Sequence, residues 1–433
     1  MRSDMDSNNR KGITNGNGLS VRPCARCIYD ARIPRISFDE QGVCNYCRQY
    51  EEMDREYPTG EEGRTVLEAT VDEMKRAGKG KPYDVVIGVS GGCDSSYMLH
   101  LAKKEFGLRV LAAHFDNTYN SRIAVENIQR MLGELDIDLY THVVDNTEYQ
   151  RIYRSFFEAS VPEIDTPVDL ALAAVHYMAA SKYGIKYIWE GHSFRTEGIS
   201  PPGWFYMDAK YVQSIHSRFG DGKIKTLPML WMHRWLKWMV VDRIRKFRPL
   251  YYLDYDKEET KHFLTNTYGW QWYGGHHMEN RTAYFANNYY LPKKFGIDLR
   301  FSELSALVRS GQLSRKEAVE RIAQEKPFDE SILAEIKRRV GFSDAEWEAI
   351  MKAPLSHYTL HPTYKKRFER MRPFFYVLYK AGYVTKSFYY KFCVLKDDEP
   401  VTRNFFERIG RADRVGEDPG PGPSRTRLRQ RVG

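Results

Sequence analysis

Long apolar runs are missing from these 433 residues. None approaches the roughly 18 consecutive apolar residues that a spanning helix needs, which excludes a helical membrane protein. Residues 1–20 are polar and lack an apolar signal core, so the chain reads as cytoplasmic. Cysteine is scarce, six in all, and four of the six fall in one set taken up below. A basic body is missing as well. The net charge is +9, yet residues 401–433 hold eight Arg against four acids and residues 1–23 hold four basic residues against two. The ends therefore carry six of the nine excess charges, and no nucleic-acid-binding face is demanded of the rest. No Gly-x4-Gly-Lys-Ser/Thr loop occurs, which removes the Walker A way of holding a triphosphate. No internal repeat is apparent.

What is present concentrates in one stretch. Asp84-Val-Val-Ile-Gly-Val-Ser90 is a β-branched run that predicts a buried parallel strand. Ser90-Gly-Gly-Cys-Asp-Ser-Ser96 follows as a tight glycine turn and feeds a helical pattern over 97–105. Two adjacent glycines let backbone N–H groups turn inward, and Ser95 and Ser96 add hydroxyls at a helix N-terminus. With the helix dipole, this is an anion cradle. A strand over 109–115 ends at Asp116-Asn117, then a helix over 121–135 and a strand over 138–144 follow. Thr166 as N-cap and Pro167 open a helix running over 171–183, and a strand over 187–190 comes after it. This alternation predicts an α/β fold, a Rossmann-like parallel sheet with helices on both faces. Ligands on such sheets sit at the carboxyl ends of the strands. That rule gathers His114, Asp116, Asn117, Gly191, His192, Arg195, Thr196 and Glu197 around the cradle.

Cys24-Ala-Arg-Cys27 and Cys44-Asn-Tyr-Cys47 make two Cys-x2-Cys knuckles with a sixteen-residue spacer, which fits a tetrahedral Zn²⁺. An iron–sulfur cluster, two disulfides or free thiols are the alternatives. Four protein ligands leave no open position, so such a zinc holds the fold and does no catalysis. Residues 51–80 read as a charged linker with one helix over 62–75. Residues 227–247 set Trp231, Trp235 and Trp238 at helical spacing among basic residues, as a core-packed or membrane-surface helix. Gly274-Gly275 makes a turn that presents His276, His277, Glu279, Asn280 and Arg281, a set suited to phosphate or carboxylate groups. Adjacent histidines on one strand point to opposite faces, which disfavours a metal there. Helical patterns over 301–310, 314–324 and 328–340 lead into an aromatic helical stretch over 343–395. That stretch reads as a packing layer or a subunit interface, and a homo-oligomer stays open. The resulting division is a disordered N-terminus (1–20), a four-cysteine zinc-binding module (21–60), an ATP-binding catalytic domain (81–300), a helical C-terminal region (301–400) and a disordered basic tail (416–433).

The ordered set of strand, Ser90-Gly-Gly-x-Asp-Ser-Ser96 and helix resembles the PP-loop of the ATP pyrophosphatase superfamily, enzymes that split ATP into AMP and pyrophosphate to activate an oxygen. The resemblance implies that Ser90, Gly91, Gly92, Ser95 and Ser96 hold the departing pyrophosphate. Asp94 would orient the loop or help bind Mg²⁺, and adenine and ribose would lie against His114, Asp116 and Asn117, with Gly191 also in contact. A wider set resembles the N-acetyl sugar amidotransferase family of bacterial surface-polysaccharide synthesis over about residues 22–340. It comprises the four cysteines with Phe38-Asp-Glu-x-Gly-Val, the PP-loop, Phe194-Arg-Thr-Glu-Gly198, Tyr273-Gly-Gly-x-His-x-Glu-Asn280 and Phe295-Gly-Ile-Asp-x-Arg300.

That family resemblance implies an ATP-dependent, AMP-forming enzyme that turns an acetamido group into an acetamidino group. The substrate would be a nucleotide-linked N-acetyl sugar, a UDP-linked uronic acid derivative, with ATP, Mg²⁺ and structural Zn²⁺ as cofactors. Arg195, His276, His277, Glu279, Asn280 and Arg281 would contact the sugar, and Glu197 or His192 would take the proton released by ammonia. Nothing resembles a glutaminase nucleophile with its own domain, so a separate glutaminase would deliver ammonia. Cys93 reads as a bystander. Two readings compete: a PP-loop tRNA-modifying enzyme of thiolase or lysidine-synthase type, which needs a basic RNA face, and a non-catalytic interaction protein, which turns over no ATP.

Overall fold

Five short strands line up in parallel: β1 (Val85–Gly88), β2 (Val110–Asp116), β3 (Asp138–Val143), β4 (Tyr187–Trp189) and β5 (Arg245–Phe247). The computed structural model describes residues 23–275 and 278–395, with the backbone of 13–14 and 20–21. Of the stretch read as disordered at the N-terminus, only a ladder of Ile13–Thr14 with Ser20–Val21 is described, and the tail 416–433 lies outside the described residues. The sheet order is β3-β2-β1-β4-β5. β1 is thus the central strand, with Val85 level with Val110 on one side and with Tyr187 on the other. The chain leaves β1 in one direction to build β2 and β3, then returns to the other side for β4 and β5. Such a switch point opens a crevice at the strands' carboxyl ends.

Both faces of the sheet are covered, as the β-branched runs require. Val85, Ile87, Val110, Ala112 and Trp189 face a layer formed by α2 (Gly60–Ala77), α3 (Cys93–His100), α4 (Arg122–Leu135) and α9 (Lys257–Tyr268). Val86, Leu111, Ala113 and Ile188 face the opposite layer, made by α5 (Asn146–Glu158), α6 (Thr166–Tyr183) and α7 (Ala209–Phe219). The helix starts follow their caps. Ser121 accepts the Ala124 N–H, Asp145 accepts the Glu148 N–H and Asp256 accepts those of Glu258 and Glu259. The C-terminal helices α11 (Arg300–Ser310), α12 (Arg315–Ala323), α13 (Glu330–Val340) and α14 (Asp344–Lys352) fall where the sequence pattern places helices. Among the described residues no helix is long and apolar enough to cross a membrane.

Two expectations need correction. The supposed linker over 51–80 is the end of one helix, α1 (Asn45–Glu56), followed at once by α2. Its charges mark solvent faces, while Leu67, Val71 and Met74 are buried. The tryptophan-rich stretch over 227–247 is not one helix. Helix α8 (Met232–Leu236) runs into a widened turn to Val241, Arg243 takes a left-handed φ of 54°, and residues 245–247 become β5. Trp238 stacks on Tyr177 with centroids 5.5 Å apart and Trp235 on Phe375 at 6.0 Å, so both rings pack inward.

Candidate active site

β1 delivers Ser90-Gly91-Gly92 into the crevice and α3 begins at Cys93. Gly91 has φ +79°, and a β-carbon there would lie 2.3 Å from the Ala124 carbonyl oxygen, so only glycine fits. Its own carbonyl accepts the Trp270 indole N–H at 3.0 Å and an Asn127 amide N–H at 3.2 Å. The Ser90 hydroxyl accepts the Gly92 N–H at 3.2 Å, and the Ser95 hydroxyl donates to the Gly92 carbonyl at 3.1 Å. Gly92 is the N-cap of α3 and has no side chain to satisfy the first-turn N–H groups. A turn of this form at a helix N-terminus leaves backbone N–H groups available to an anion.

Asp94, in the first turn of α3, is the hub of the polar set. Tyr255 donates to its Oδ1, and the Lys257 ammonium reaches Oδ2 at 3.1 Å. Lys257 also lies 3.9 Å from Glu197, and Glu197 lies 3.9 Å from the His192 Nε2. Burial alone would raise the Asp94 carboxyl, but the Lys257 charge and the hydrogen bonds from Tyr255 and Lys257 outweigh it and hold it below the usual carboxylate range. Burial also opposes the Lys257 charge, and Asp94 and Glu197 more than restore it. Desolvation of the ring first, then the Arg248 charge, push His192 down to about 4, so its ring is neutral at pH 7.

The strand end of β4 is equally constrained. A β-carbon on Gly191 would stand 2.9 Å from the Met98 Cε and 3.4 Å from the Asp94 Cβ, so glycine lets this loop lie against α3. Just before it, Glu190 is clamped by Lys246 and by Arg248, the latter at 2.9 Å. Both partners come from β5 and its exit, the element the sequence reading missed.

Several expected site residues do other work. Arg195 is buried; its guanidinium donates to Asp54 at 2.7 Å and to the carbonyls of Tyr251 and Tyr57, tying α1 to the β4 loop. Its guanidinium is thus spent on protein contacts. Both His114 nitrogens are engaged, with the Val89 carbonyl at 2.8 Å and the Asn120 amide at 3.2 Å. Asn117 is fully buried and accepts from Asn280 at 2.9 Å. These two brace the turn from behind, while Asp116 is half-buried at the strand end. Asn280 caps α10 (Arg281–Phe285), and Arg281 pairs with Glu335. Glu279 is turned toward the cradle, its Oε1 3.7 Å from where a Gly92 β-carbon would be. His276 and His277 lie outside the described residues.

Tyr255, Lys257 and Tyr273 are the residues that sequence reasoning missed. Asp256-Lys-Glu-Glu reads as an exposed, charged helix start, and only packing shows that Lys257 is buried beneath it.

Away from the cleft, the four cysteines converge. Sγ–Sγ separations are 3.8 Å for Cys24–Cys47 and Cys27–Cys44 and 3.6 Å for Cys44–Cys47, with all four within 4.8 Å of one another. A disulfide needs about 2.05 Å, so the disulfide alternative falls. Tetrahedral Zn–S bonds of about 2.3 Å give sulfur–sulfur edges of roughly 3.8 Å, which is the spacing found. A cubane cluster would stand between its thiolates and hold them farther apart. Arg309, buried on α11, donates to Cys27 Sγ at 3.2 Å and to Cys47 Sγ at 3.4 Å. A buried guanidinium against the sulfurs calls for thiolates, the form that binds metal.

Residues 279–373 match the family described as LPS biosynthesis protein WbpG-like, C-terminal domain. An uncharacterized protein of Methanocaldococcus jannaschii is 27% identical over 174 residues, 39% of this chain and 58% of that protein. The chain thus spans less than two thirds of that relative's length. The NH3-dependent NAD synthetase of Campylobacter jejuni, in complex with the nitrate ion, aligns at a TM-score of 0.27 and 14% identity, covering 68% of this chain and 98% of its own. NMN synthetase from Francisella tularensis aligns at 0.26 and 15%, covering 51% and 90%. The U34-tRNA thiolase NcsA from Methanococcus maripaludis, with its 4Fe-4S cluster, aligns at 0.27 and 9%, covering 65% and 91%. Overlays this loose add nothing to what the sheet order shows by itself.

Proposed function

We propose, for a chain whose residues 279–373 match the C-terminal domain of WbpG-like LPS biosynthesis proteins, that it is an ATP-dependent, AMP-forming amidotransferase acting on a nucleotide-linked N-acetyl sugar. The observation that carries the reading is the glycine turn at the sheet's switch point with Asp94, Lys257 and Glu197 converging on it. An amide oxygen is a poor leaving group, and adenylation turns it into a good one. In the proposed reaction the acetamido oxygen attacks the α-phosphorus of ATP, and the bond to the bridging oxygen breaks. Pyrophosphate leaves into the Ser90–Ser96 turn, where backbone N–H groups and the helix dipole stabilise it. Ammonia adds to the imidate carbon and loses a proton, and AMP departs with the former amide oxygen, leaving C=NH.

His192 is the group assigned to that proton. It is neutral, its side chain remains 41% exposed, and its Nδ1 is within 3.1 Å of the Tyr251 hydroxyl. Glu197 is bound up with Lys257 and orients the ring from the Nε2 side. Magnesium, with the Asp94 and Glu279 carboxylates at the turn to receive it, would neutralise phosphate charge. Cys24, Cys27, Cys44 and Cys47 would hold Zn²⁺ in a purely structural role. The sugar is proposed to be a UDP-linked uronic acid derivative.

A separate glutaminase is proposed as the ammonia source. The chemistry of the six cysteines favours this. Four face one another, and burial pushes the remaining two, Cys93 and Cys393, up to about 12, which leaves no thiolate nucleophile for a glutaminase reaction. The test mixes purified protein, Mg·ATP, an ammonium salt and a panel of UDP-N-acetyl sugars. AMP, pyrophosphate and a sugar in which NH has replaced oxygen are the expected products. AMP release that depends on tRNA would make the reading wrong.

A further inference from the structure

The anion cradle is already engaged by the protein itself. Tyr273 brings its hydroxyl oxygen to 3.1 Å from the position of a Gly92 β-carbon, at the N-terminus of α3. The hydroxyl therefore occupies space over the helix donors that a phosphate needs. We propose that Tyr273 gates the phosphate site, its hydroxyl standing in for a phosphate oxygen until the incoming nucleotide displaces it.

The surroundings fit a side chain that can leave while its neighbours stay. On the N-terminal side, Trp270 is fully buried and its indole donates to the Gly91 carbonyl at 3.0 Å. Gln271 exchanges two hydrogen bonds with Asn127, at 2.8 and 2.9 Å. On the far side, Glu279 and Arg281 pair with Ser121 and Tyr119 through backbone bonds of 2.8 Å each. Gly274, directly after Tyr273, has φ +100°, a conformation that lends the backbone freedom at that point. The phenol packs edge-on against Trp270 at 5.9 Å and lies 4.8 Å from the Trp272 ring, so its departure changes the environment of two indoles. Burial first, then the Glu279 carboxylate, keeps the phenol protonated at neutral pH, and the gate is therefore a neutral group. A phosphate that displaces it puts a charged acceptor where a neutral hydroxyl stood, and charge-assisted hydrogen bonds are the stronger.

This inference rests on the reading of the turn as a phosphate cradle, and one experiment separates the two. Pyrophosphate and Mg·ATP are titrated against the wild type, Tyr273→Phe and Gly92→Ala, with calorimetry and tryptophan fluorescence as readouts. The wild type binds pyrophosphate with a saturable fluorescence change, and Gly92→Ala loses the binding. Tyr273→Phe, which keeps the ring and the packing, binds pyrophosphate about fivefold more tightly, because no hydroxyl has to be moved from the turn first. Unchanged or weaker binding in Tyr273→Phe overturns the gate while leaving the cradle intact; weaker binding would make the hydroxyl a phosphate ligand instead. A wild type that binds neither ligand, or a Gly92→Ala variant that binds as well as the wild type, overturns both. Should Gly92→Ala fail to fold, Ser95→Ala replaces it as the cradle variant.

Discussion

Lys257 faces two carboxylates, Asp94 at 3.1 Å and Glu197 at 3.9 Å, with little solvent to share the charge. The two variants of this pair should behave differently. Asp94→Asn keeps the shape of the side chain and leaves Lys257 with Glu197 as counter-ion, so the fold survives while AMP formation is abolished. Full turnover in that variant would remove the role assigned to Asp94. Lys257→Met instead leaves two carboxylates facing one another without a cation, and stability falls by roughly 3–5 kcal/mol, read from chemical denaturation. His192 carries a separate expectation. Its pKa in the fold is lowered to about 4, so the proton-accepting form persists as the pH drops well below 6.5. With free NH3 held constant across the series, the kcat profile should therefore stay level from pH 8 to about 5, and His192→Asn should lower kcat by roughly 10²–10⁴-fold. An acid limb centred near 6.5 that vanishes in the variant would contradict the depressed value.

At the scale of elements, α11 joins the four-cysteine module to the Tyr255 loop. Arg309 lies on the sulfurs, the Ser310 hydroxyl donates to the Arg195 carbonyl at 3.0 Å, and Gln312 donates to the Tyr255 carbonyl at 3.0 Å. Tyr255 in turn donates to Asp94. Stripping the metal leaves Arg309 buried against protonated thiols, an uncompensated charge that favours release of α11. We predict one zinc per chain and release of that zinc by a strong chelator in step with loss of near-UV circular dichroism and of AMP formation. Arg309→Met should speed the release about tenfold. Iron with visible absorption, or activity that outlasts metal removal, would count against this linkage.

None of that wiring could be read from sequence, whereas the knuckles themselves could. Cys-x2-Cys spacing is local, but Arg309 is one arginine among many until α11 is docked. The same divide runs through the fold. β1 and β2 announce themselves as apolar runs, since both faces are buried. β5 was hidden because Arg245-Lys-Phe247 is a half-buried edge strand, with charged side chains that read as helix surface. The glycine turn was legible because strand, turn and helix are contiguous; Tyr273 and Lys257 reach it from 163 to 180 residues away and were not.

The whole molecule carries opposing proton linkages that set where it is most stable. His176 and His357 are buried at 6% and 5% exposure, and burial pushes each down to about 4. The unfolded chain titrates its histidines near 6.5, so between about 4 and 6.5 it binds protons that the native state refuses. Stability is then lost as the pH falls through that window, by up to about 1.4 kcal/mol per pH unit for each histidine. Glu163 works the other way. It is 2% exposed, accepts from the Tyr211 hydroxyl at 3.0 Å and from the Tyr206 N–H at 3.3 Å, and burial raises it to about 8. Its carboxyl stays protonated in the fold while the unfolded chain has already released that proton, so its contribution is lost as pH rises from about 4.3 toward 8. The depressed histidines, His192 with them, outweigh one carboxyl below 6.5, and between 6.5 and 8 the fall of the carboxyl's contribution prevails, so melting temperature should peak near pH 6.5. Glu163→Gln keeps a neutral hydrogen-bonding group in place and removes the alkaline fall, narrowing the gap between melting temperatures at pH 6.5 and 8. His176→Gln should flatten the acid side by one histidine's share of its slope. Melting curves of Glu163→Gln that run parallel to the wild type at both pH values would mean that the carboxyl ionises in the fold, with Lys391, itself pushed down to about 8 by burial, taking up its charge.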